Sequence, residues 1–259
     1  MTTLTAQGGA VLGRYLWREH DGRLEALFLG GTAWGSGSSP ARARLRYFWE
    51  ADGDLERQEL SRLVGATVDF TYGYAADGRL TSEAASEAGW LWTAATSRTV
   101  SYASVNTLDQ YDAVDGAAAT WDANGNRASW GGLVTAHDSD NRLVTATRAG
   151  VTMTYGYDAG GRRVAASASP GAATATLWAG DMEIADYDGA GTLLRRYVPG
   201  MSVDQRIAMI SCGAGAGVCP SAATHYYVPN RLGNVIAMVD AAGAVTDRYV
   251  YPPGGLPRT

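Results

Sequence analysis

A chain of 259 residues with 46% apolar and 18% charged side chains is ordered, and is long enough for one large or two small cored domains. Its net charge of −5 sets 26 acidic residues against 21 basic ones, with every basic residue an arginine, so no basic field invites nucleic acid or an anionic membrane. No basic-then-apolar leader opens the sequence, and no apolar run reaches the roughly 18 residues of a membrane span.

Taken in order, the chain repeats one phrase: an aromatic, an Asp, two spacers, a Gly, an Arg and an apolar residue. Tyr15 and Trp17 lead into REHDGRL (18–24). Tyr47 and Trp49 lead into WEADGDL (49–55). Tyr72 and Tyr74 lead into YAADGRL (74–80). A blurred copy, YDAVDG, stands at 111–116, followed by WDANGNR (121–127) and HDSDNRL (137–143). VTMTYGYDAGGRRVAAS (151–167) shows the plan most clearly, and YDGAGTLL (187–194) and VDAAGAV (239–245) keep its Asp and Gly. The repeat is irregularly spaced, which favours an array of short units over a single compact motif.

Turn chemistry explains the phrase. A first-position Asp accepts hydrogen bonds from backbone N–H groups just after it, and the fourth position needs φ > 0, which Gly adopts freely and Asn next best. The turn residues are therefore Asp122 and Gly125, Asp138 and Asn141, Asp158 and Gly161, Asp188 and Gly191, and Asp240 and Gly243. A type I turn plus one left-handed residue joins antiparallel strands, so each copy predicts a β-hairpin tip. The flanks alternate with period two, and aromatics two apart share one strand face. Stacked hairpins would then share an aromatic ladder. DLERQELSRL (54–63) carries helix formers behind an acidic start, but it lies between two hairpin phrases. The fold class is all-β, antiparallel and built of hairpins.

Cys212 and Cys219 bracket a Gly-rich stretch, CGAGAGVC. The spacing is not a redox motif, two thiols alone do not make a metal site, and a disulfide closing the loop fits an oxidising compartment. His20 and His137, near hairpin turns, suggest aromatic substitutes, His225 adjoins Tyr226 and Tyr227, and the three scattered histidines offer little for a catalytic set. Asp122-x-Asn124-x-Asn126 and Asp138-x-Asp140 have partial calcium-loop spacing but lack the later Glu and the flanking helices. With eight Trp and 14 Tyr the chain is rich in rings, and Trp90, Trp92 and Trp130, outside the repeat phrase, are the candidates for stacking a sugar. No cofactor, metal site or catalytic constellation is expected.

YGYDAGGRR, HDSDNRLVTAT and YGYAADGRLT resemble YD repeats of the RHS family, found also in the Tc-toxin C component and in teneurins. HYYVPNRLGNVIAMVDAAGAVTDRYVYPPGG (225–255) resembles that family's repeat-associated core segment, through Arg231-Leu232-Gly233-Asn234, Asp240-Ala241-Ala242-Gly243 and Tyr249 to Gly254. YVPGMSVDQRIA (197–208) resembles the strand before it, and Pro253 departs from the family's Phe. The resemblance divides the chain into repeat hairpins at 1–200 and a core-like segment at 201–259 with its Gly-rich loop at 212–219. It implies an arc of a spirally wound shell that encloses a C-terminal toxin polypeptide of the same, longer protein. The remaining shell and that toxin are the implied partners, and the implied setting is secreted or cell-surface. The family's release site lies beyond Thr259, so no protease is carried over. The alternative reading is a carbohydrate-binding or adhesion module.

Overall fold

The computed structural model describes residues 2–5, 11–31, 40–92, 99–202, 204–212, 219 and 223–251. The Gly-rich residues between the two cysteines and the Pro-rich stretch after Tyr251 lie outside these. Among the described residues there is no α-helix, and 21 antiparallel strands, β1 (Thr2–Thr5) to β21 (Val245–Arg248), follow one another in chain order. Contacts divide the chain into two compact units, residues 1–94 with 195–259, and residues 95–194. This division cuts across the boundary near residue 200 that the sequence suggests.

The discontinuous unit has two sheets. One runs β1 to β7 without a crossover, through β2 (Val11–Trp17), β3 (Leu24–Leu29), β4 (Ala43–Trp49), β5 (Leu55–Arg62), β6 (Val68–Tyr74) and β7 (Leu80–Ala85). The other contains β17 (Leu193–Pro199), β18 (Arg206–Ser211), β19 (Thr224–Pro229), β20 (Val235–Asp240) and β21. The segment 54–63 is strand β5. Its helix formers yield to pairing on both sides, Leu60 lying opposite Leu45 and Val68. The inward row Tyr15, Leu27, Leu45, Leu60 and Val68 packs in one cluster with Ala208, Tyr226, Val228 and Val239. Gln58 is fully buried in this core. Its Nε2 donates to Pro229 O at 2.8 Å, and its Oε1 accepts from Tyr72 OH at 3.3 Å. Such a buried polar group is tolerated because each end has a partner. Cys212 and Cys219 are joined, with Cα atoms 4.3 Å apart, where β18 passes to β19.

The 95–194 unit is built differently. It is a run of hairpins from β8 (Ala113–Val114) through β9 (Ala117–Trp121), β10 (Arg127–Trp130), β11 (Leu133–His137) and β12 (Leu143–Arg148). β13 (Val151–Tyr157), β14 (Arg163–Ser169), β15 (Ala173–Ala179) and β16 (Met182–Asp188) complete it. The register places Thr120, Ser129, Val134, Thr147, Thr152 and Ser169 on one face. Trp121, Trp130, Tyr155, Tyr157 and Trp178 lie on the other. The small polar face is open, with Val134 57% exposed, and the aromatic face is half-buried by its own rings. Among the described residues, only Ala185 is a buried apolar residue of this unit. Its described residues form a single-layer sheet without a separate core among them.

Candidate functional site

The hairpin tips carry the repeated chemistry. At Asp138 the backbone N–H bonds to Arg142 O (3.0 Å) and the carbonyl accepts from Asn141 N (3.0 Å). Its Oδ1 also accepts from the amides of Asp140 and Arg142, each at 3.0 Å. Asp122, Asp158, Asp188 and Asp240 repeat this pattern with the residues two and four further on. The fourth residue is left-handed throughout: φ is 84° at Gly125, 61° at Asn141, 79° at Gly161, 83° at Gly191 and 90° at Gly243.

Two further tips lack the Asp-x-x-Gly spelling. Asn230, with Gly233 at φ 83°, takes the amides of Leu232 and Asn234 on its Oδ1. Asn106, with Asp109 at φ 58°, takes those of Leu108 and Gln110. The signal for them was an Asn that can fill the Asp place, with Asp tolerated in the left-handed place. The blurred copy at 111–116 is no such tip. Asp115 (φ 49°) and Gly116 (φ 76°) form a two-residue turn with both central residues left-handed, which matches strand twist.

The carboxylates respond to this geometry. Asp138 and Asp188 are held below the usual carboxylate range first by the amides of Arg142 and Thr192. Asp158 and Asp122 are held there first by side-chain bonds from Arg162 and Asn126. A folded-state pKa below the unfolded value near 3.8 gives stability that is complete above that value and is lost as pH falls through the depressed one. The 95–194 hairpins should therefore hold unchanged from neutral pH down to about pH 4 and weaken below it. Asp138→Asn, which keeps the Oδ1 acceptor, should flatten that acid branch in circular-dichroism melts. An unchanged acid branch would discount the carboxylate.

Rings link neighbouring hairpins at several places. Beyond each tip, the ladder to the next strand stops two residues short, at Ala26, Arg57, Thr145 and Ala165. The first carbonyl after the tip therefore lacks a ladder partner, and a ring on or just after the following strand supplies the donor. Trp49 Nε1 donates to Leu24 O (2.8 Å) and Tyr74 OH to Leu55 O (3.2 Å). Tyr157 OH donates to Leu143 O (2.8 Å), Trp178 Nε1 to Arg163 O (3.1 Å) and Tyr251 OH to Val235 O (2.6 Å).

The Arg of the phrase works in parallel. Arg142 bonds its own Asp138 through Nε at 2.8 Å and lies 5.1 Å over the ring of Tyr157 on the next hairpin. Arg23 lies 5.6 Å over Trp49. A planar guanidinium can bond and stack at once, which an ammonium does less well. Neighbouring tips also touch directly, Asn126 Nδ2 donating to Asn141 Oδ1 at 2.8 Å. Tyr157→Phe removes one link and should cost about 0.5–1.5 kcal/mol. Faster hydrogen exchange at β12–β14 would report it; unchanged exchange would show the link to be idle.

The candidate sugar-stacking rings do not form one surface. Trp90 is only 2% exposed. Its Nε1 donates to Glu87 (3.0 Å), Phe70 meets it edge-on at 6.0 Å, and Arg62 and Arg248 lie over its ring. It is a core residue, because the loop after β7 folds back over the sheet end. Trp92 lines a cavity of about 220 Å³ with Glu83, Tyr249 and Tyr251. Trp130 is half-buried on the aromatic face beneath Arg127. His137 Nδ1 stands 3.9 Å from Asp122, and His20 sits at an exposed tip beside Arg18. Among the described residues no group of three or more His, Cys, Asp or Glu is placed to hold a metal, and no helix is long and apolar enough to cross a membrane.

The same fold occurs in solved structures. The chain superposes on a Tc holotoxin pore structure of Photorhabdus luminescens with a mutated TccC3 at a TM-score of 0.53, with 14% identity, over 98% of this chain and 17% of that one. It superposes on TcdB2-TccC3 at a TM-score of 0.50, with 13% identity, over 99% of this chain and 16% of that one. The chain has the RHS/YD-repeat fold. In sequence, the chain is 27% identical over 166 residues to the tRNA nuclease WapA of Bacillus subtilis. It is 28% identical over 166 residues to the tRNA3(Ser)-specific nuclease WapA of Bacillus spizizenii. Each match takes in 62% of this chain and spans 7% of the relative's length. No family model matches the chain.

Proposed function

We propose that this chain is a structural part of an RHS/YD-repeat shell that encloses a C-terminal toxin polypeptide of the full-length protein, without catalysis of its own. The observation that carries the reading is the 95–194 unit, a single-layer sheet whose phrase residues are spent on joining one hairpin to the next. A wall needs this property: each unit is stabilised by neighbours more than by a separate core. The partners are the rest of the shell and its cargo, and the chain is exported within the longer polypeptide. The nuclease activity of WapA then belongs to a part of WapA that this chain does not resemble. Electron cryo-microscopy of the full-length product tests the proposal. A hollow particle with enclosed density, in which the C-terminal polypeptide resists protease, is expected. An open particle with a protease-sensitive C-terminal segment would overturn the encapsulating role, and cleavage of tRNA by the isolated chain would overturn its inertness.

A further inference from the structure

We propose that the cavity between β7, the loop after it and the chain just beyond β21, in the unit of residues 1–94 and 195–259, is a binding site for a quaternary ammonium group. The inference goes beyond the shell reading and does not rest on it. The cavity holds about 220 Å³. That is below the roughly 300–1,000 Å³ of sites for drug-sized ligands, so its occupant is a group of a few heavy atoms.

Four rings line it: Trp90 and Trp92 from the loop after β7, and Tyr249 and Tyr251 from beyond β21. Tyr249 N donates to Ile236 O at 2.9 Å, which extends the ladder past β21 and sets both tyrosines beside the loop. The polar ends of the rings are engaged elsewhere. Tyr251 OH donates to Val235 O at 2.6 Å, Tyr249 OH to Met238 Sδ at 3.7 Å and Trp90 Nε1 to Glu87 at 3.0 Å. Arg62 and Arg248 already lie over Trp90, so the cage rests on Trp92, Tyr249 and Tyr251, which are half-buried and keep ring surface open.

Among the described residues, the one charged side chain on the wall is Glu83, which stands on β7 opposite Tyr72. As a residue Glu83 is exposed, yet the protein around its carboxyl pushes the pKa up by burial, against the lowering field of Arg231. The carboxylate is reachable and incompletely hydrated, a condition that an incoming cation relieves. Arg62, Arg231 and Arg248 stand nearby without lining the cavity.

These walls narrow the ligand. An anion meets Glu83. A primary ammonium brings three N–H donors that need acceptors, whereas Asn230 Oδ1 is taken by the amides of its tip and the tyrosine hydroxyls are engaged. A quaternary ammonium needs no hydrogen bond, and its methyl-covered charge is held by aromatic rings and a nearby carboxylate. Free small molecules such as choline and the headgroup of phosphatidylcholine share this chemistry.

Saturation-transfer NMR on the whole chain tests this with four probes: tetramethylammonium, choline, ethanolamine, and the uncharged isostere of choline in which a tert-butyl group replaces trimethylammonium. Saturable transfer to the N-methyl protons of tetramethylammonium and choline is expected, with ethanolamine and the uncharged isostere at least about tenfold weaker. Glu83→Gln should weaken choline about tenfold and leave the uncharged isostere unchanged, a selectivity that mere loosening of the fold would not produce. Trp92→Ala should weaken both. If Glu83→Gln lowers the thermal melt, the ranking of the probes on the wild-type chain decides. Phosphatidylcholine vesicles that bind the chain and release it to free choline would assign the group to a lipid headgroup, and vesicles that do not bind would assign it to a soluble molecule. No saturable transfer to either quaternary probe, equal binding of ethanolamine or of the uncharged isostere, or undiminished choline affinity in Glu83→Gln would each overturn the proposal. None of these outcomes bears on whether the full-length protein is a hollow shell.

Discussion

Phe70→Ala destabilises the unit of residues 1–94 and 195–259 by about 3–5 kcal/mol, the range for deleting a fully buried phenyl ring. Phe70 is 1% exposed and sits mid-strand, opposite Gln58 on β5 and Ala85 on β7. Its neighbours on both sides are fixed by ladder hydrogen bonds, so the cavity cannot collapse. The ring also supports Trp90 edge-on, and Trp90 in turn holds Arg62 and Arg248. Phe48 is the internal control. It points from the opposite face of β4, where Arg57 and Arg46 cover it at 3.7 Å and 4.7 Å. Phe48→Ala forfeits surface cation–π contacts worth only about 1 kcal/mol. Urea unfolding followed by tryptophan fluorescence separates the two. Equal losses would mean that the face assignment of the sheet is wrong.

Gly243→Ala and Gly161→Ala sit in the same turn type and should differ severalfold. Both glycines are left-handed, which costs an L-residue about 1–2 kcal/mol. At Gly161 an added methyl meets nothing within 4 Å, so that is the whole expected loss. At Gly243 the methyl would lie 2.6 Å from Leu63 Cβ and 3.2 Å from Arg42 O. Leu63 is tied there by its amide bond to Arg42 O, and Val64 donates to Gly243 O, so the backbone has little room to yield. Overpacking adds about 1–3 kcal/mol, for a total of about 2–5 kcal/mol. Calorimetric melts of the two variants give the comparison, and Gly161→Asn should be milder still, because Asn141 already fills that place in its own tip. A Gly243→Ala loss no larger than that of Gly161→Ala would mean that this tip is not packed against β5.

The tips were legible in the sequence because their chemistry is local: an Asp and a left-handed residue three places on determine a turn whatever surrounds them. Asn106 escaped notice because Asn replaces Asp and Asp109 replaces Gly in one phrase. The helix formers of 54–63 misled because their partners lie elsewhere. Leu60 and Gln58 are buried by strands and by Pro229, the last of these 171 residues away from Gln58. The same long reach hid the two-unit division, since nothing near residue 200 announces that β18–β20 return to cover β2–β6. Trp90 looked outward because it lies outside the phrase, whereas the fold of the loop after β7 decides its burial.

The link from each ring to the first carbonyl after the preceding tip also sets a rule for how such a chain can grow. Donor and acceptor recur once per two strands, as in Tyr157 to Leu143 and Trp178 to Arg163. Duplicating or deleting a whole hairpin keeps each of these rings facing a matching carbonyl. Duplicating a single strand reverses the chain direction and sends the next ring to the opposite edge of the sheet, away from its acceptor. Length can therefore change in steps of two strands by gene duplication and unequal crossing-over, with no compensating substitutions at the joint.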